Sequence, residues 1–438
     1  MNDITHLDDE RDRSATHTGA RARTHRALRT RVRRFVAPVA LSVAALLVSA
    51  PVAASADDVN PLWYFEQMGV QAVHDAGITG EGVTIAVLDG KFNPDLVTFD
   101  GADIELRPLE GCELESTNKL DAGHGSDVTS LIVGNGTSSS GAGVKGIAPD
   151  VRVLYYNELD IECHTHLSFD VTLQDAIDQG ADIVSISGTF GAATPEGQRA
   201  QRELMAEAMR AGVIFVTGLP NAWGVDSGIF DTTSGVVSVA AVDAAGDIQP
   251  NNLKDGPLLN ENVDVAAPGL DVAGVQEAAS ADGWGYGYWS GNSAATPLVS
   301  GALALTKQKW PDATSAQLLQ SLIRNAGDDA EEMAWNDAVG YGVIDLLAMI
   351  ATDPSQYPDE YPLFRDDQEL SYDEVFAEPE PEPTPSSEPA ASGADSVMWM
   401  LAPVIAVLVL GAILVLALVV IVVIVVIRRR RRRTGDGT

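Results

Sequence analysis

Five short runs rich in β-branched residues set the strongest limit on how this chain can fold: VTIAVLD (83–89), VRVLYY (151–156), ADIVSIS (181–187), VIFVTG (213–218) and VVSVAAV (236–242). They read as nearly continuous apolar runs, without regular polar alternation, which is the pattern of a strand covered on both faces. Helix-like stretches at 171–179, 195–211 and 296–309 alternate with several of them. Strands separated by helices build a largely parallel sheet between two helical layers. The expected fold is therefore α/β, with three layers. In such sheets ligands and catalytic groups collect beyond the carboxyl ends of the strands. Asp89 ends the first run, and Asn221 follows the fourth closely.

The two ends of the chain carry membrane signals. Residues 1–34 are polar and Arg-rich, 35–54 are apolar, and Ala54-Ser55-Ala56 precedes Asp57. That order predicts a secretory signal peptide over 1–56. From Val397 to Ile427 no charged residue occurs, and about twenty such residues already span a bilayer. A transmembrane helix is expected over 396–427. Arg428 to Arg433 follow at once, which puts the 428–438 tail in the cytoplasm and everything from Asp57 to the helix outside. The expected location is the cell membrane, single-pass, with the membrane reached through the C-terminal helix.

Between them, 351–395 is acidic and Pro-rich, the composition of an extended linker, which leaves 57–350 as the folded domain. Asp plus Glu number 62 against 28 Lys plus Arg, a net charge of −34. Such a surface repels nucleic acid, so no nucleic-acid partner is expected. Both cysteines, Cys112 and Cys163, fall in the exported part, where oxidising conditions favour a disulfide between them. His164 and His166 lie beside Cys163 but complete no ligand set, so no metal site is expected.

The stretch WSGNSAATPLVSGALAL (289–305) places Ser293 among small side chains, with Thr296-Pro297 and an apolar run behind. Gly, Asn and Ser also make an ordinary helix start, so alone it leaves two readings open. A serine becomes a nucleophile only when an imidazole takes its proton and a carboxylate holds that imidazole. His124, in DAGHGSDVTSLIVG (121–134), is flanked by glycines ahead of a helix-like run from Val128. His74 lacks such a context. Asp89, His124 and Ser293 then follow in the chain order of the subtilisin triad.

On these residues the chain resembles the subtilisin-like serine peptidases. VTIAVLDGKFNPDL is similar to their aspartate motif, GHGSDVTSLIVG to their histidine motif and SGNSAATPLVSGALAL to their serine motif. VKGIAPDVRVL, VDVAAPG and GYGVIDLLAMI agree in order. The resemblance implies a serine endopeptidase acting on polypeptide substrates through an acyl-enzyme. In it Asp89 orients His124, His124 is base then acid, and Ser293 attacks. It also implies that Asn221 donates to the oxyanion and that Ser187, Gly188 and Thr189 pair with substrate. No cofactor is expected; many members bind calcium, but no acidic loop here has a diagnostic spacing.

Departures from the family pattern are visible too. Gly90-Lys91 follow Asp89 where Ser or Thr and then Gly are usual, Asp127 replaces a common second histidine, and Asn292 and Ala294 replace Thr and Met. They motivate an alternative: a weak or inactive pseudoprotease that serves as a scaffold in a membrane secretion assembly. About twenty-five residues separate Asp57 from the first strand, so no folding pro-domain is expected between them. The layout of signal, peptidase domain, Pro-rich stalk and basic-tailed helix is similar to the mycosins, membrane-anchored proteases of type VII secretion. That likeness implies a type VII secretion-like complex as partner.

Overall fold

The computed structural model describes residues 60–108, 112–139, 141–158, 168–189, 191, 194–222, 228–251, 256–275, 284–327 and 333–377. In chain order the strands are β1 (Thr84–Asp89), β2 (Asp103–Leu106), β3 (Asn135–Ser138), β4 (Gly141–Lys145), β5 (Arg152–Asn157), β6 (Ile183–Ile186), β7 (Ile214–Gly218), β8 (Val237–Val242), β9 (Val265–Pro268), β10 (Val272–Gly274) and β11 (Gly287–Trp289). The α-helices are α1 (Trp63–Gln67), α2 (Val70–Asp75), α3 (Lys119–Val133), α4 (Ser168–Asp178), α5 (Pro195–Arg210), α6 (Asn292–Lys309), α7 (Ser315–Arg324), α8 (Leu346–Ala351) and α9 (Tyr372–Phe376).

Seven strands form one sheet in the order β2-β5-β1-β6-β7-β8-β9, and every neighbouring pair in it is parallel. Alternate residues of each strand point to opposite faces, and the core divides accordingly. Ile85, Val87, Val153, Tyr155, Ile214 and Val216 face α3, α6 and α7 through Leu131, Leu298 and Leu318. Ala86, Leu88, Leu154, Tyr156 and Phe215 face α4 and α5 through Leu173, Met205 and Met209. The three-layer α/β expectation therefore holds in the sheet itself.

The helix α6 carries the site on this scaffold. It is buried from Asn292 to Thr306, apart from a half-buried Ser293, as expected of a helix apolar or small on all sides. It begins at Asn292, four residues before the expected start, because Pro297 sits inside the helix rather than opening it. Likewise α3 starts at Lys119, where the Asn118 side chain accepts from the Leu120 N–H at 3.1 Å. His124 consequently lies in the second turn of α3 and not at a helix start.

One domain boundary changes. Residues 352–377 fall in the expected linker, yet they fold back on the domain. Gly235 N–H donates to the Leu363 carbonyl and Ser234 N–H to that of Glu369, both at 2.9 Å. Tyr361, Phe364, Tyr372 and Phe376 form an aromatic cluster, and Arg210 of α5 donates to the Val375 carbonyl at 2.9 Å. These aromatics supply the apolar surface that the acidic composition of the whole stretch conceals. Residues 1–59 and 378–438, with the expected signal, the rest of the linker and the membrane helix, lie outside the described residues. Among the described residues no helix is long and apolar enough to cross a membrane.

Candidate active site

Asp89 closes β1 and is fully buried. Its Oδ1 accepts from the Gly90 N–H at 2.7 Å and lies 2.8 Å from Nδ1 of His124. Its Oδ2 is buried with no hydrogen-bond partner among the described residues. Tyr155 donates to the Gly90 carbonyl at 2.7 Å, and burial, with the Asp89 charge adding to it, pushes this phenol well above its usual range. The histidine turn must approach this floor closely. A Cβ at position 125 would lie 2.0 Å from the Tyr155 hydroxyl and 2.6 Å from the Lys91 carbonyl, so only glycine fits beside His124.

His124 is partly exposed and meets Trp289 of β11 edge to face, ring centroids 5.6 Å apart. Burial disfavours its charged form, but the Asp89 charge and hydrogen bond, joined by the Asp127 charge, outweigh that and raise its pKa above the ordinary 6.5. Asp127 lies one turn further along α3, fully buried, with Oδ1 accepting from the Val275 N–H.

Ser293 sits in the first turn of α6. Its hydroxyl donates to the carbonyl oxygen of Ser187 at 3.1 Å, and the Ser187 hydroxyl donates to the Ser293 carbonyl at 3.1 Å. The hydrogen bond of the nucleophile candidate thus runs to the end of β6 and not to His124. Leu88 of β1 pairs with Ile186 of β6, which puts Asp89 and Ser187 on neighbouring chain ends. Four of the sequence-predicted residues thus form two linked pairs at the ends of neighbouring strands, Asp89 with His124 and Ser187 with Ser293.

Asn221 lies three residues beyond β7 and is exposed. Its Oδ1 accepts from the Asn292 N–H at 2.8 Å, which turns its Nδ2 away from that contact. Gly291 has φ +151°, and a Cβ there would stand 3.2 Å from Asn221 Oδ1. The motif glycine before Asn292 thus answers both a backbone conformation and a close approach. Gly188 is half-buried and Thr189 exposed just after β6. Cys163, His164 and His166 lie outside the described residues, and no free cysteine occurs among those described. His74 is elsewhere, with Nε2 2.8 Å from the Ile147 carbonyl. Sequence reasoning missed the aromatic wall of Trp289 and the contacts of Asn292; unusual residues in the motifs were the only signal for the second.

A parallel sheet with an acid–imidazole pair, a serine at a buried helix start and an amide beside it defines a hydrolase-type site. Residues 80–342 match the model of Peptidase S8, the subtilase family, and the chain belongs to that family. It is 28% identical over 294 residues to the minor extracellular protease Epr of Bacillus subtilis (strain 168), a match covering 66% of this chain and 42% of Epr. The chain thus spans less than half the length of that relative. In fold it is similar to fervidolysin from Fervidobacterium pennivorans, a keratinolytic enzyme related to subtilisin, with TM-score 0.54, 22% identity, and 68% of this chain and 46% of that one covered. It is also similar to MycP1 from Mycobacterium smegmatis, with TM-score 0.53, 21% identity, and 71% and 90% covered. A further MycP1 structure, from the ESX-1 type VII secretion system, gives TM-score 0.52 at 22% identity, with 69% and 88% covered.

Proposed function

We propose that this chain is a membrane-anchored, extracytoplasmic serine endopeptidase that cleaves polypeptides through Asp89, His124 and Ser293. The observation that carries the reading is the 2.8 Å contact between buried Asp89 and His124 Nδ1, beside a serine at the start of a buried helix. Asp89 fixes the tautomer, leaving Nε2 to take the Ser293 proton as Oγ attacks the scissile carbonyl. For that transfer the Ser293 hydroxyl must leave the Ser187 carbonyl for the imidazole. The oxyanion formed is held by the Asn221 amide and the Ser293 N–H, and His124 then protonates the leaving amine. Water, activated by the same imidazole, hydrolyses the acyl-enzyme.

Anchoring rests on the apolar run 397–427 with its arginine tail and on the leader over 1–56. In the exported domain Cys112 and Cys163 form a disulfide. Membership of a type VII secretion-like complex is supported by this layout and by the likeness of fold to MycP1. A fluorophosphonate probe applied to the full-length protein in membranes tests the chemistry. Labelling that disappears in Ser293→Ala and in His124→Ala supports the enzyme, whereas folded protein that takes no label overturns it. External protease that leaves the ectodomain intact on sealed, right-side-out cells would refute the topology.

A second reading, a weak or inactive scaffold, draws on the Ser293 hydroxyl being engaged with Ser187 and on Asp89 Oδ2 having no hydrogen-bond partner among the described residues. Absence of labelling in the same assay, with assembly in the membrane unimpaired by Ser293→Ala, selects it.

A further inference from the structure

Asn292, the residue before the nucleophile candidate, is 1% exposed, and its side chain spans two strand ends at once. Its Oδ1 accepts from the Ala241 N–H of β8 at 2.8 Å. Its Nδ2 donates to the Leu219 carbonyl at 2.9 Å and to the Pro220 carbonyl at 3.2 Å, just beyond β7. The backbone N–H of the same residue holds Asn221 Oδ1. One residue therefore fixes the loop that carries Asn221 through its side chain and fixes the orientation of the Asn221 amide through its main chain.

The residue type matters for this. A threonine, usual in the family at this place, offers one hydroxyl on a short stem, whereas a primary amide presents an acceptor and two donors in one plane. Here that plane is filled by one N–H and two carbonyls belonging to different chain segments. Left without them, those buried main-chain groups would lose their partners, and the loop would be free to shift against the start of α6. An oxyanion donor works because its position is fixed before charge develops, so displacement of Asn221 by a fraction of an ångström weakens the transition state more than the bound substrate.

Building on the catalytic reading above, we infer that Asn292 is a positioning residue that acts through Asn221, setting the oxyanion donor relative to Ser293. It touches neither substrate nor the reacting atoms. Its contribution belongs to kcat, and it exists only while Asn221 is present to be positioned.

The test is a double-mutant cycle on the full-length, membrane-embedded protein with a fluorogenic peptide that it turns over. Asn292→Ala is expected to lower kcat about tenfold or more while KM stays within about twofold, short of the hundred- to thousandfold typical of removing a donor itself. In an Asn221→Ala background the same substitution is expected to cost almost nothing further. A role in holding the fold alone would instead give costs that multiply across the two backgrounds, and that result overturns the inference, as does a change in KM with kcat untouched. Asn292→Ser, which keeps a polar group in the pocket, serves where the alanine variant does not fold, with the thermal midpoint of each variant measured alongside; the same vanishing cost is expected of it. Turnover of the unmodified chain that does not depend on Ser293 would sink the catalytic reading and this inference with it, an outcome distinct from additive costs in an active enzyme.

Discussion

The Ser187 hydroxyl donates to the carbonyl oxygen of Ser293 at 3.1 Å, in the place where a helix would normally supply a backbone donor. The residue four positions on from Ser293 is Pro297, which has no N–H, so the carbonyl has no i+4 partner within α6. The contact is thus a repair of a helix that carries a proline, and it also tethers the nucleophile's turn to the strand end expected to pair with substrate. Ser187→Ala takes the side-chain donor from the half-buried Ser293 carbonyl and should cost about 1 kcal/mol in denaturant unfolding. Adding Pro297→Ala restores an amide donor and should recover part of that loss. If the double variant is no more stable than Ser187→Ala, the proline is not the reason for the contact.

Activity should rise with pH as His124 loses its proton, because only the neutral imidazole accepts from Ser293. The raised pKa of His124 places that rise above the ordinary 6.5. Asp127→Asn removes one of the charges that hold the proton, so the acid limb of kcat/KM should move to lower pH. The stability linked to this group has the opposite sense. A folded-state pKa above the unfolded value contributes fully below about 6.5 and is lost as pH rises through the folded value. NMR titration of His124 in both proteins measures the shift directly, and an unmoved or upward pKa in Asp127→Asn would contradict the electrostatic account.

Gly90 leaves Asp89 Oδ2 buried and without a partner among the described residues. A serine there, the family's usual choice, brings a hydroxyl next to the carboxylate it follows. Gly90→Ser should therefore raise stability by about 1 kcal/mol and increase kcat/KM, since a better-held carboxylate holds His124 better. Lower stability together with lower kcat/KM would mean that space around Tyr155, which donates to the Gly90 carbonyl, decides this position instead.

Much of this was legible in the chain. Runs such as VTIAVLD are apolar throughout because both faces of the strand are covered, and that continuity exposes a parallel sheet without any long-range information. Asp89 and His124 could be paired from motif and order. What stayed hidden depends on contacts between distant segments. The start of α3 at Lys119 is set by an Asn118 cap and by the fit of Gly125 against Tyr155, and glycines flanking a histidine read more naturally as a loop. The engagement of Ser293 with Ser187 follows from a missing amide in Pro297, which matters only once a strand end lies opposite. The folded part of 352–377 was masked because acidic residues and prolines dominate its composition, while a few aromatics carry its packing.

Arg365 is one of the residues by which that folded extension grips the domain. It pairs with buried Asp264, donates to the carbonyls of Glu261 and Val263 at 2.8 and 3.1 Å, and lies 5.5 Å from the Trp335 ring centre. Burial pushes the Asp264 carboxyl up to about 6, against the opposing pull of Arg365 and of the Ser238 N–H. Between its ordinary 3.8 and about 6 the folded chain keeps a proton that the unfolded chain has released, so this group's contribution is full below that window and is lost as pH rises through it. Removing the cation leaves a buried charge, and Arg365→Met should cost about 3–5 kcal/mol near neutral pH. The loss should shrink toward about pH 4.5, where the carboxyl accepts a proton instead, and Asp264→Asn in the same background should return much of it. Denaturation curves at the two pH values decide the matter: an equal loss at both would show that Arg365 holds the extension through its carbonyl and ring contacts, with Asp264 contributing little.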